Sequence, residues 1–116
     1  MFGFNKVIIA GRLGKNPKKG TTREGNSYVQ LHLATHRRVV GHTEAPSKKV
    51  TDWHCVFVWG KQAEACERFL KKGEVVLVEG VLSHYEQEDS GGTKRRQTSI
   101  HARQVSFLGQ SKTDET

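Results

Sequence analysis

At 116 residues the chain is sized for one domain, and its 34% hydrophobic content suffices for a single compact core. Lys and Arg outnumber Asp and Glu by 19 to 12, giving a net charge of +7, and the pI of 9.7 describes a field that attracts polyanions, nucleic acid before a membrane surface. No apolar run reaches the length of a membrane span, and "NKVIIAGRL" is too short and too flanked by charge for a signal peptide. Two cysteines, Cys55 and Cys66, form no CxxC pair, which argues for a reduced, cytosol-like compartment and against a disulfide framework.

The apolar periodicity is mostly two. "KVIIAGRL" (6–13) alternates Val7, Ile9, Gly11 and Leu13 against Lys6, Ile8, Ala10 and Arg12, a first strand. "GKNPKKGTTREGN" (14–26) reads as a basic, turn-rich connection. "SYVQLHLAT" (27–35) is a second strand, with Val29, Leu31 and Leu33 on one face and Tyr28, Gln30 and His32 on the other. "HRRVVGHTEAPSKK" (36–49) is a long loop of the functional or mobile kind. "TDWHCVFVWG" (51–60) is a third strand that sets Trp53, Cys55, Phe57 and Trp59 against Asp52, His54, Val56 and Val58.

One segment has helical spacing. "KQAEACERFLKK" (61–72) groups Ala63, Cys66, Phe69 and Leu70, with Lys71 and Lys72 in its last turn and Gly73 as its C-cap. "EVVLVEGVL" (74–82) is a fourth strand, "EDSGGTKRR" (88–96) a hairpin turn, and "TSIHARQVSFL" (98–108) a fifth strand. Residues 1–109 make the domain, and 110–116 read as a short flexible tail. Three strands, a helix and two strands is the order of an all-β, five-stranded antiparallel OB-fold, a Greek-key barrel with its one helix between strands 3 and 4.

Val56 and Val58 suit the barrel interior, which turns Trp53, Phe57 and Trp59 outward as a platform on which unpaired bases stack. Two other uses of the rings stay open: core packing under the valines, and a protein–protein patch. The connections carry the charge: Lys15, Lys18, Lys19 and Arg23, then Arg37, Arg38, Lys48 and Lys49, then Lys94, Arg95 and Arg96, with Arg12 and Lys61 counted among the phosphate candidates. On the fourth strand Val76, Val78 and Leu82 fill the barrel. Val75, Leu77 and Val81 then face out and, with Ile8 and His54, form a candidate subunit contact. No metal-ligand spacing, GxSxG or Walker loop is present, and neighbouring His54 and Cys55 point to opposite faces. The expectation is a binding protein without cofactor, metal or catalytic residues.

The pieces "NKVIIAGRLGKNP" (5–17), "LHLAT" (31–35) and "TDWHCVFVWGKQAEACERFLKKGEVVLVEGVL" (51–82) resemble the bacterial and mitochondrial single-stranded DNA-binding protein (SSB) family over nearly the whole chain. The resemblance implies an OB-fold that assembles, usually as a homotetramer. It implies sequence-independent binding and protection of single-stranded DNA in replication, recombination and repair, in the bacterial cytoplasm or alternatively the mitochondrial matrix. Trp53 matches a family stacking tryptophan, Trp59 stands where a stacking phenylalanine is common, and His54 matches a subunit-contact position. Two positions depart: Val39 stands where a tryptophan is frequent, and Gln87 where another aromatic is, with Tyr85 two residues earlier as a substitute. The family's long acidic-tipped tail has no counterpart in "SKTDET", so tail-mediated partners are not carried over. A related reading is a primosomal OB-fold protein, usually dimeric, that binds single strands and replication-restart partners.

Overall fold

The computed structural model describes residues 2–39 and 48–110. In chain order these are β1 (Val7–Leu13), β2 (Lys18–Thr21), β3 (Ser27–Val39), β4 (Lys48–Trp59), α1 (Gly60–Phe69), β5 (Glu74–Glu88) and β6 (Lys94–Gln110). The alternation in the sequence decides which side of each strand goes inward. Val29, Leu31 and Leu33 of β3 are buried, and the register Val29↔Val58 and Leu31↔Val56 sets them beside the buried valines of β4. Val76 and Val78 of β5 and Ile100 of β6 complete the wall. Each such side chain taken out of water contributes about 1.5–3 kcal/mol.

The sheet runs β1-β5-β6-β4-β3-β2, and β1 turns back onto β3 through Arg12↔Ala34 and Leu13↔Leu33 to close the cylinder. β5 lies close against β6 at Gly80, beside a break in their register, where a Cβ would lie 2.1 Å from the His101 carbonyl oxygen, so only glycine allows the approach. The helix packs Ala63 and Cys66 into the core, joined by Leu70 just past its end, all three buried. Burial pushes the Cys66 thiol up to about 11, so it is an inert core group. A closed Greek-key barrel with a helix between its third long strand, β4, and the next is the OB-fold.

The structure departs from the sequence expectation at five points. The strands number six: β2, "KKGT", pairs with β3 from Lys18↔Gln30 to Thr21↔Ser27 inside the stretch read as a turn-rich connection. Not all pairs are antiparallel, because β4 lies parallel to β6 through Val56↔Ile100 and Phe57↔His101. The connections are shorter than expected, since β3 and β4 pair out to Val39↔Lys48 and β5 and β6 out to Glu88↔Lys94. Residues 40–47 of the expected long loop and 111–116 of the expected tail lie outside the described residues. The helix ends at Phe69, which is exposed. Leu70 is already extended, and Gly73, at φ +96°, is a turn into β5 and not the helix C-cap. Leu82 shares the phase of Val76 and Val78 but is exposed, because β5 has left the barrel there and continues as a two-stranded arm with β6.

Candidate nucleic-acid interface

Because Val56 and Val58 take the inside of β4, Trp53, Cys55, Phe57 and Trp59 take its outside. The β3 register sets Tyr28 opposite Trp59, Gln30 opposite Phe57, His32 opposite Cys55 and Ala34 opposite Trp53. From the other side, the parallel contact with β6 brings in His101. Tyr28 meets Phe57 edge-on at 5.6 Å and Trp59 at 5.2 Å, while the His101 imidazole stacks on Phe57 at 5.6 Å and on Trp59 at 6.2 Å. Trp59 Nε1 donates to His101 Nδ1 at 3.3 Å, which fixes the indole. Phe57 and Trp59 are thus half-buried members of a four-ring cluster. Trp53 stands apart from them, 62% exposed, against the backbone at Gly14.

Tyr28 and His101 are the members that sequence reading missed as site residues. Tyr28 was legible as outward on β3. His101 joins only when the barrel closes, and nothing local to it signals that.

Strand alternation also sorts the cations. Arg38 and Lys49 pair across β3 and β4 on the ring side, followed by His36↔Thr51 and Ala34↔Trp53. Arg37 and Lys48 lie on the opposite side, and Arg37 Nε donates to Asp52 Oδ2 at 2.6 Å, which raises the guanidinium pKa. On the second arm Tyr85↔Gln97 and Gln87↔Arg95 share the side of Val81↔His101, whereas Arg96 opposes Glu86 and Lys94 opposes Glu88 on the other. Arg95 also reaches Asp89 at 3.4 Å. Arg12 donates to the Gly73 carbonyl at 2.9 Å, so it also braces the turn after the helix. Lys15 is exposed in the connection before β2, and Lys61 on the first turn of α1. Val39 falls on the side opposite the rings, facing Lys48.

Two groups on the ring side have displaced pKa values. His32 lies below its ordinary value, first through burial and then through repulsion from Lys15 and Lys18. The Cys55 thiol is pushed up by burial, partly offset by the hydrogen bond it accepts from Gln30 Nε2 at 3.0 Å. Among the described residues no group of three or more His, Cys, Asp or Glu side chains is placed to hold a metal ion.

The expected subunit contact divides in two. The registers Ile8↔Glu79, Ala10↔Leu77 and Arg12↔Val75 put Ile8, Leu77 and Val75 together on the outer face of β1 and β5. Val81, also outward, sits beside His101. His54 is not on that face: it shares the phase of Val56 and Val58 at the barrel's end, half-buried, with its Nε2 2.8 Å from Thr35 Oγ1.

A closed barrel with contacting rings on the outward face of β4 defines an OB-fold protein of the kind that binds oligonucleotides or oligosaccharides. Comparison with known proteins narrows that class. The model of the "Single-strand binding protein family" matches residues 4–108. Single-stranded DNA-binding protein 1 of Chlorobaculum tepidum is 35% identical over 108 residues, covering 92% of this chain and 66% of its own length. Among solved structures, a Plasmodium falciparum SSB in complex with ssDNA superimposes with a TM-score of 0.83 at 24% identity, covering 93% of this chain and 97% of that one. A deletion mutant of the single-stranded DNA binding protein from Thermus aquaticus gives a TM-score of 0.77 at 28% identity, covering 91% of this chain and 51% of that one. The chain belongs to the single-strand binding protein family.

Proposed function

We propose that this chain binds single-stranded DNA without sequence preference and without a chemical step, protecting unpaired strands during replication, recombination and repair in the bacterial cytoplasm. The observation that carries the reading is the outer face of β4. Trp53, Phe57 and Trp59 lie on it, with Tyr28 and His101 against the last two. Base stacking on such rings is worth about 1–3 kcal/mol per base and accepts any base. Arg38, Lys49 and Arg95 share the ring side and are assigned to phosphates, with Lys15 and Lys61 at its margin. The family membership supports the same ligand. Assembly into a homo-oligomer, tetramer or dimer, belongs to the proposal too, with Ile8, Val75 and Leu77 at the contact.

Tryptophan fluorescence tests the reading directly. Oligo-dT should quench saturably where duplex DNA of equal length does not. An equal response to both would reduce the protein to a general polyanion binder. An RNA strand that competes better than DNA would move it to a different class of OB-fold.

A further inference from the structure

Helix α1 and strands β2 and β3 enclose a groove of about 780 Å³ that the ring face does not account for. Tyr28 lines it, and the same ring touches Phe57 and Trp59, so the groove opens directly off the platform. Phe69 also lines it. This ring ends the helix and, unlike the buried Ala63 and Cys66 before it, is 61% exposed. The Arg68 guanidinium lies 5.8 Å from its centroid. The remaining charged lining is Lys19, Lys61, Glu64 and Glu67, and Lys19 reaches Glu67 at 3.8 Å. Three cations against two carboxylates, beside an exposed ring and joined to a stacking face, is a surface suited to more of the same ligand.

We infer that a single strand passing Tyr28 continues into this groove, where Phe69 stacks one further base and Lys61 and Arg68 meet its phosphates. The inference rests on the proposed single-strand binding. Arg68 also gains from a base on Phe69, because a guanidinium over one ring can lie flat against the next.

The test compares oligo-dT of about 4 and about 16 nucleotides, the limits of what one OB-fold spans. Phe69→Ala should weaken binding of the longer strand about fivefold or more and leave the shorter one unchanged, while Phe69→Tyr keeps both. The ring is exposed, so the substitution leaves the core intact. Wild-type affinity of Phe69→Ala for both lengths would overturn the inference. So would an equal loss on both, or a fall in mass on dilution by light scattering, which would assign Phe69 to a subunit contact. Trp59→Ala, run in parallel, separates the levels. If it weakens both strands while Phe69→Ala changes neither, the groove is wrong and the ring face stands. If wild type itself fails to prefer oligo-dT over duplex, the underlying reading falls.

Discussion

A Cβ placed on Gly14 would lie 2.3 Å from Trp53 Cζ3, and one on Gly20 would lie 2.3 Å from Tyr28 Cζ. Both rings therefore rest on bare backbone, and a single methyl displaces them. The two side chains can swing outward, so Gly14→Ala and Gly20→Ala should alter stability by no more than about 1 kcal/mol. Oligo-dT affinity should nevertheless fall severalfold, which thermal melting and fluorescence titration on the same samples would check. His32 supplies a pH signature. Its folded pKa is below the ordinary 6.5, so the unfolded chain takes up the proton more readily. Its contribution to stability is complete above that value and is lost as pH falls through it toward the folded value. From about pH 7.5 to about pH 5 the urea midpoint should drop further for wild type than for His32→Gln. At this scale the strands' faces were legible because side-chain period two is strict. Tyr28 was visible as outward, but its partnership with Trp59 depends on register, which no single strand encodes.

The two hairpin arms show how alternation separates cations that look equivalent in sequence. Arg95 and Arg96 are neighbours, yet Arg95 shares the side of Tyr85 and His101 while Arg96 opposes Glu86 on the reverse. Arg95→Gln should therefore make the log–log slope of oligo-dT affinity against salt shallower by about 0.7, and Arg96→Gln should leave it nearly unchanged. Preference for single strands over duplex should survive in both, because the rings are untouched. Equal slope changes would mean that the strand runs around the arm and not along one side. The β5–β6 turn was legible from its Gly-Gly, and the strands pair up to it at Glu88↔Lys94; the β3–β4 extension was not. Arg37, Arg38, Lys48 and Lys49 are charged on both faces and read as loop, since solvated strands lack the apolar alternation that marks a strand. Cross-strand pairing holds them instead, while the β5–β6 turn is fixed by Asp89, whose Oδ1 accepts from the Gly91 and Thr93 amides at 3.0 and 2.9 Å, with Gly92 at φ +81°. β2 was missed because "KKGT" carries no apolar period. The helix end was misplaced because Phe69 and Leu70 are adjacent apolar residues, and only the buried one belongs to the core.

For the whole molecule, the outer face of β1 and β5 decides whether the chain acts alone. Ile8 is exposed and shares this face with Leu77 and Val75. Ile8→Glu should leave the melting temperature of the subunit intact and lower the mass seen by light scattering as the sample is diluted. A mass that is unchanged at every concentration would remove this face from the assembly. The order in which the barrel closes has a kinetic consequence. Trp59 finds His101 across 42 residues of chain, and β4 gains its second neighbour only when β6, the last strand, arrives. Contacts so distant in sequence make folding slow, in the millisecond-to-second range of small barrels. During synthesis β1 to β5 emerge before that partner exists, and the edge of β4 waits unpaired with its rings and valines, a segment prone to self-association. Competence to bind should thus be acquired in one late event. In stopped-flow refolding, the tryptophan emission of the closed barrel and the capacity to capture oligo-dT should recover with a single shared rate constant.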